Sequence, residues 1–234
     1  MANRSAGAST SLRQPHAGQT LRAWWRQIRS PASILLALPA AAGIALVYLA
    51  AGAGWRGLIA KPLHEALAIA LLGVAVGIFF IRAWRHRLKL DYLLLITAVN
   101  FLCREIHFEG TDNAVVVVAV IVAVLCTIWR EQVFETLGKA PLVRLALTGA
   151  FLTYLLGQLI QRRVFSAGRI PLLPDEALLH VPLEEISENI AHLYFILIGI
   201  ACFAELRPGG KRKKRTTRHP PHTEDSGQPL NRKS

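Results

Sequence analysis

The chain has 234 residues, 53% of them hydrophobic and only 18% charged, and its mean hydropathy is +0.36. Apolar blocks alternate with charge clusters, a composition that excludes an ordinary soluble domain and reads as an all-α integral membrane protein. The net charge of +12 and pI near 10.4 would suit nucleic acid. However, the cations lie in the tails and in alternate loops, as membrane orientation requires, so nucleic acid is not an expected partner.

In chain order, residues 1–29 read as a basic N-terminal tail. Within it the stretch LRAWWRQIR at 21–29 suits an interfacial helix with Trp24 and Trp25 in the headgroup layer. Ser30 and Pro31 supply a helix cap and a first helical position. They open a first span at 32–51, charge-free as far as Leu49 and with Pro39 as an expected kink. At about 20 residues it matches a bilayer better than a cleaved leader, for which the Ala-rich exit at 51–53 is the one supporting feature.

Lys61-Pro62 opens a second span at 62–82. His64 and Glu65 stand in its first turn, and Gly73-x-x-x-Gly77 has the spacing of closely approaching helices. Arg82, Arg85, His86, Arg87 and Lys89 follow it as a basic, cytoplasmic loop. The third span, 90–108, places Asn100, Arg104 and His107 at i, i+4 and i+7 on one helical face, with Glu105 and Glu109 one step round.

Asp112 and Asn113 mark a turn into a fourth span at 113–129, where the run from Val115 to Trp129 has Thr127 as its one polar side chain and reads as lipid-facing. Its β-branched residues would suit a strand, but an open strand cannot cross a bilayer. A charged link at 130–138 leads to a fifth span at 141–161. In the following loop, Asp175 to His180 reads as a short helix bounded by Pro174 and Pro182. The sixth span, 185–206, carries Glu185, Glu188 and His192 at i, i+3 and i+7. Residues 207–234 form a second basic tail, expected to be disordered. Its Lys211, Arg212, Lys213, Lys214 and Arg215 suit anionic lipid headgroups.

Residues 30–206 thus form an expected six-helix membrane bundle. Threading it through a membrane leaves Arg56, Lys61, Arg104, Arg162, Arg163 and Arg169 on one face and the other 21 of the 27 Lys and Arg on the opposite face. By the positive-inside rule both termini are cytoplasmic, as in a bacterial inner-membrane protein. Cys103, Cys126 and Cys202 all fall in apolar segments without metal or disulfide spacing and read as packing residues.

This topology brings the start of span two, the end of span three and the start of span six to one extracytoplasmic level. At 1.5 Å per residue, Glu188 and Arg104 both lie roughly 5 to 6 Å inside the membrane end, and His192 and Asn100 roughly 10 to 12 Å. The expected contacts are therefore Arg104 with Glu188 and Asn100 with His192. The polar cluster of Asn100, Arg104, Glu105, His107, Glu185, Glu188 and His192 suits a transport, proton-relay or sensing role. An alternative is a metal-dependent membrane enzyme holding zinc or manganese through His107, Glu185, Glu188 and His192. A third reading is a structural Arg104–Glu188 pin. Haem is disfavoured, because the paired histidines of membrane cytochromes are missing. No phosphate loop, His-Glu-x-x-His or Gly-x-Ser-x-Gly motif identifies a catalytic residue. Oligomerisation is left open.

Overall fold

A computed structural model of the chain describes residues 17–106, 111–164 and 176–206. Among these residues the secondary structure is all helical. Helix α1 (Ala17–Ile28) is followed by a 3-10 segment (Pro31–Leu36), α2 (Ala37–Gly52), α3 (Lys61–His86), α4 (Lys89–Glu105), α5 (Thr111–Ile128), α6 (Arg130–Gly138), α7 (Pro141–Gln161) and α8 (Glu176–Glu205).

Four helical stretches are long and apolar enough to cross a membrane: Ser33–Gly52, Lys61–His86, Pro141–Gln161 and Leu178–Glu205. A fifth is added if Val115–Ile128 and Arg130–Gly138, which meet at a 78° bend, count as one broken span. The expected third span corresponds to α4, which has 17 residues and carries charges at both ends. As described it falls short of a full crossing. The supposed link at 130–138 is instead helix α6, folded sharply away from α5.

Helix α8 is the centre of the bundle, with 67% of its apolar window buried against 28% for the first span. The sequence of α7 explains why the two pack. Val143, Ala146, Ala150, Thr153, Gly157 and Ile160 recur every three or four residues, a stripe of mostly small side chains along its buried face. Gly149 lies so close to Tyr194 that a Cβ there would come within 2.5 Å of the ring. Gly43 of α2 abuts Ile190, and Gly199 of α8 abuts Ile78 of α3 by the same device. Gly73 and Gly77, the pair expected to bring helices together, meet nothing within 4 Å. The sites of close approach lie elsewhere, at contacts made with or by α8.

The N-terminal stretch docks rather than standing apart. Thr20 donates to the Phe134 carbonyl (3.3 Å), Trp24 Nε1 to Thr148 (2.8 Å) and Gln27 Nε2 to the Pro141 carbonyl (2.8 Å). Trp24 therefore faces α7, whereas Trp25 is exposed. Arg144 Nε donates back to Gln27 Oε1 (3.1 Å). At the same place, the Glu205 carboxylate accepts the first backbone N–H groups of α7, those of Leu142 (3.0 Å) and Val143 (3.2 Å), and so caps it from another helix.

Three local expectations are corrected. Ser30 does not cap the first span: its hydroxyl donates to the Gln27 carbonyl at the end of α1 (2.7 Å), and the chain enters α2 through a 3-10 segment. Pro39 falls in the first turn of α2, where its missing N–H has no intrahelical acceptor to lose. Pro182 does not separate a short helix from span six, because α8 runs through it from Glu176. One internal hydrogen bond is lost there, a loss that packing against neighbouring helices offsets in membrane-type helices.

Candidate intramembrane polar site

The site is assembled on α8, where Ser187, Glu188, Asn189 and His192 are all buried in a helix otherwise rich in Ile, Leu and Phe. Ser187 satisfies itself by donating to the Leu183 carbonyl (2.7 Å). Glu188 packs beside Gly157 of α7, where even an added Cβ would stand at an ordinary contact distance of 3.6 Å from its Cγ. Arg104, in the last turn of α4, donates from Nη2 to Glu188 Oε1 at 3.1 Å. The Glu188 side chain is 8% exposed and the Arg104 side chain 32%, so the anion is sunk in the bundle and the cation's side chain reaches its rim. That asymmetry lowers the desolvation cost of burying the pair.

One turn deeper, His192 is 1% exposed and sits in an aromatic sleeve. Tyr154 of α7 meets it edge-on at 5.6 Å and Phe101 of α4 lies at 6.5 Å. These two rings stack on each other at 4.9 Å, and Phe195 closes against Phe101 at 5.6 Å. On the other side of α8, the Asn189 amide donates to the backbone carbonyls of Glu185 (3.0 Å) and His64 (3.2 Å), and lies 3.4 Å from His64 Nδ1. Four polar atoms here are buried without a protein hydrogen-bond partner: His64 Nε2, Tyr154 Oη, Asn189 Oδ1 and His192 Nδ1. Buried polar atoms are normally satisfied; this region holds four that are not, and two more, Arg82 Nη1 and His86 Nδ1, lie at the opposite end of α3.

Of the residues picked out in the sequence, Arg104, Glu188 and His192 come together, with the neighbouring His64. Asn100 is half-buried, and among the described residues no hydrogen bond joins it to His192. The expected pairing fails because the space beside the imidazole is taken by Phe101 and Tyr154. Glu105 ends α4, next to Arg104, and Glu185 is half-buried one turn above Glu188. Glu65 pairs instead with Lys61 on its own helix (3.3 Å). His107 lies outside the described residues, as do Lys211, Arg212, Lys213, Lys214 and Arg215. Among the described residues no three His, Cys, Asp or Glu side chains converge as a metal-ligand group. Within that set, Glu185, Glu188 and His192 share a helical stripe without sharing a point in space.

Two features escaped the sequence reading. Asn189 and Tyr154 complete the site from α8 and α7; a polar amide in an apolar run was the available signal for the first, and none marked the second. At the opposite end of the bundle, Arg82 and Asp91 form a second ion pair, Nε to Oδ1 at 2.9 Å and Nη2 to Oδ2 at 3.3 Å, with both side chains 0% exposed. The guanidinium also lies 4.9 Å from the Phe203 ring. Arg82 had been assigned to the aqueous loop; it is inside the protein instead. Asp91, the single acid between Glu65 and Glu105, was the clue. Comparison with known protein families, curated proteins and solved structures finds no match for this chain.

Proposed function

We propose that the chain is a six-crossing protein of the bacterial inner-membrane type, with both termini cytoplasmic. Its polar site between α3, α4, α7 and α8 opens toward the extracytoplasmic side and takes up a proton or a small polar ligand in a transport or sensing role. The observation that carries this reading is the set of four unpartnered buried polar atoms around the Glu188 turn of α8, those of His192 and Tyr154 on one side and of His64 and Asn189 on the other. Intramembrane ionisable residues with such surroundings are functional more often than structural, and buried polar atoms of this kind are met by water or ligand. The Arg104 side chain, a third exposed, offers a route for water from the rim.

A purely structural pin is the second reading, favoured by the 3.1 Å Arg104–Glu188 contact itself. It accounts for that pair and leaves His192, Tyr154 and His64 without explanation. Accessibility separates the two readings. Cysteines would be placed singly at His192, His64 and, as an exposed control, Ile106, in a chain whose Cys103, Cys126 and Cys202 are changed to Ala. A small membrane-impermeant thiol reagent added from outside should modify all three positions. Modification of the control alone would leave a dry pin and overturn the proposal.

A further inference from the structure

We infer that the outer face of the α3–α4 hairpin holds an anionic phospholipid of the surrounding bilayer, with its acyl chain in a groove and its phosphate at Arg87. The groove, about 320 Å³, is lined by Phe80, Ala83, Trp84 and Arg87 of the α3 arm and by Tyr92 and Leu95 of α4. The α3 residues recur at i, i+3, i+4 and i+7, so they form one stripe running roughly 10 Å down the helix. That is the headgroup boundary and the upper part of one leaflet, whose hydrocarbon is about half of 30 Å thick. The inference rests on the membrane reading of α3 and on nothing in the Glu188 site.

The chemistry of the stripe changes with depth as a phospholipid does. Its lower part is apolar, and Phe80 stacks on Trp84 (centroids 6.3 Å apart) to form one wall. Its mouth carries Arg87, the Tyr92 phenol and the Trp84 indole, residue types that anchor at the headgroup layer. Nearby, Lys89 Nζ lies 4.7 Å from the ring of Trp129, the residue between α5 and α6.

Charge selects the occupant. Asp91, the one acid at this end of the hairpin, is consumed inside the protein by Arg82. Among the described residues Arg85, Arg87 and Lys89 have no carboxylate within ion-pair distance. A cation at the mouth of an apolar groove, with two more in the same turn region and no acid to neutralise it, matches the anionic headgroup of a phospholipid and repels a cationic partner.

Acyl-brominated lipids quench nearby tryptophan, so Trp84 reports the occupant directly. The full chain and its Trp84→Phe variant would be reconstituted in mixtures of phosphatidylcholine and phosphatidylglycerol with one or the other brominated. The difference between wild type and variant isolates Trp84. Brominated phosphatidylglycerol should quench it as though enriched about fivefold over its bulk fraction, the advantage expected from one basic residue at the surface. Arg87→Asn should abolish that enrichment; asparagine is chosen because residue 87 has φ +52°, a conformation it tolerates. Equal quenching by both lipids in the unmodified chain would mean an unspecific lipid layer and overturn the inference without any variant. Trp84 shielded from both lipids in a dimer-sized particle would put a second copy in the groove and overturn it as well. Trp84 unquenched in a monomer would remove α3 from the membrane altogether. Enrichment that survives Arg87→Asn would move the site elsewhere.

Discussion

Removing Asp91 should damage the protein more than removing Glu188, although Glu188 lies deeper in the supposed membrane. The reason is burial. Both side chains of the Arg82–Asp91 pair are fully enclosed, and the carboxylate receives two guanidinium hydrogen bonds. Asp91→Leu would strand a cation whose remaining neighbour is the Phe203 ring, and Arg82→Met would strand an anion in the first turn of α4. Each single change in such a pair costs about 3 to 5 kcal/mol, whereas an apolar replacement of both partners is often close to neutral. The coupling energy should therefore exceed about 1.7 kcal/mol, the upper end measured for polar contacts in membrane proteins. For Arg104 and Glu188, where the Arg104 side chain is a third exposed, water takes over part of the lost interaction, and coupling near the membrane average of about 0.6 kcal/mol is expected. Two double-mutant cycles read by titrating the purified protein from mild detergent into sodium dodecyl sulfate, with helicity by circular dichroism, measure both values. Additive losses at Arg82 and Asp91, or a coupling there no larger than at Arg104 and Glu188, would refute the reasoning.

Two further outcomes are expected. Gly149→Ala should lower stability by about 1 to 3 kcal/mol in the same titration, because the added methyl meets the Tyr194 ring and that ring is held by its hydrogen bond to the Leu36 carbonyl (2.8 Å); an unchanged midpoint would mean that α7 and α8 part easily. With single cysteines in whole cells, labelling from outside should reach Arg56 and Gly168 and should fail at Arg85 and Gly138, and outside labelling of Gly138 would sink the six-crossing topology.

The Arg104–Glu188 contact was legible because helix rise is fixed: two antiparallel helices entering the membrane at one level put residues of equal depth side by side, and opposite charges there attract. Depth does not fix azimuth, and so Asn100 and His192, also at one depth, do not hydrogen-bond; aromatic rings occupy the angle between them. The 78° turn at Trp129 was invisible for another reason. Hydropathy reports what a segment is soluble in, and a helix that bends at the interface has the composition of a helix followed by a loop. Arg82 was misplaced because charge counting treats the end of an apolar run as water, although α3 continues one turn beyond it to His86. Tyr154 gave no signal, since an aromatic in an apolar helix is ordinary packing until its hydroxyl is found without a partner. The glycines of Gly73-x-x-x-Gly77 show the converse error: a spacing permits a close approach, and only the orientation of the helix face decides whether one occurs.

The cap that Glu205 provides for α7 ties together three stretches far apart in the chain. Its carboxylate grips the amides of Leu142 and Val143, the adjoining Pro141 carbonyl receives Gln27 of α1, and Arg144 holds the same glutamine from the other side. The last residue of α8 and the amphipathic N-terminal helix therefore share one anchorage. Displacing the polypeptide at Leu206 would loosen the first turn of α7 and release α1 with it, so that events at α1 and at the end of α8 are felt at the same joint.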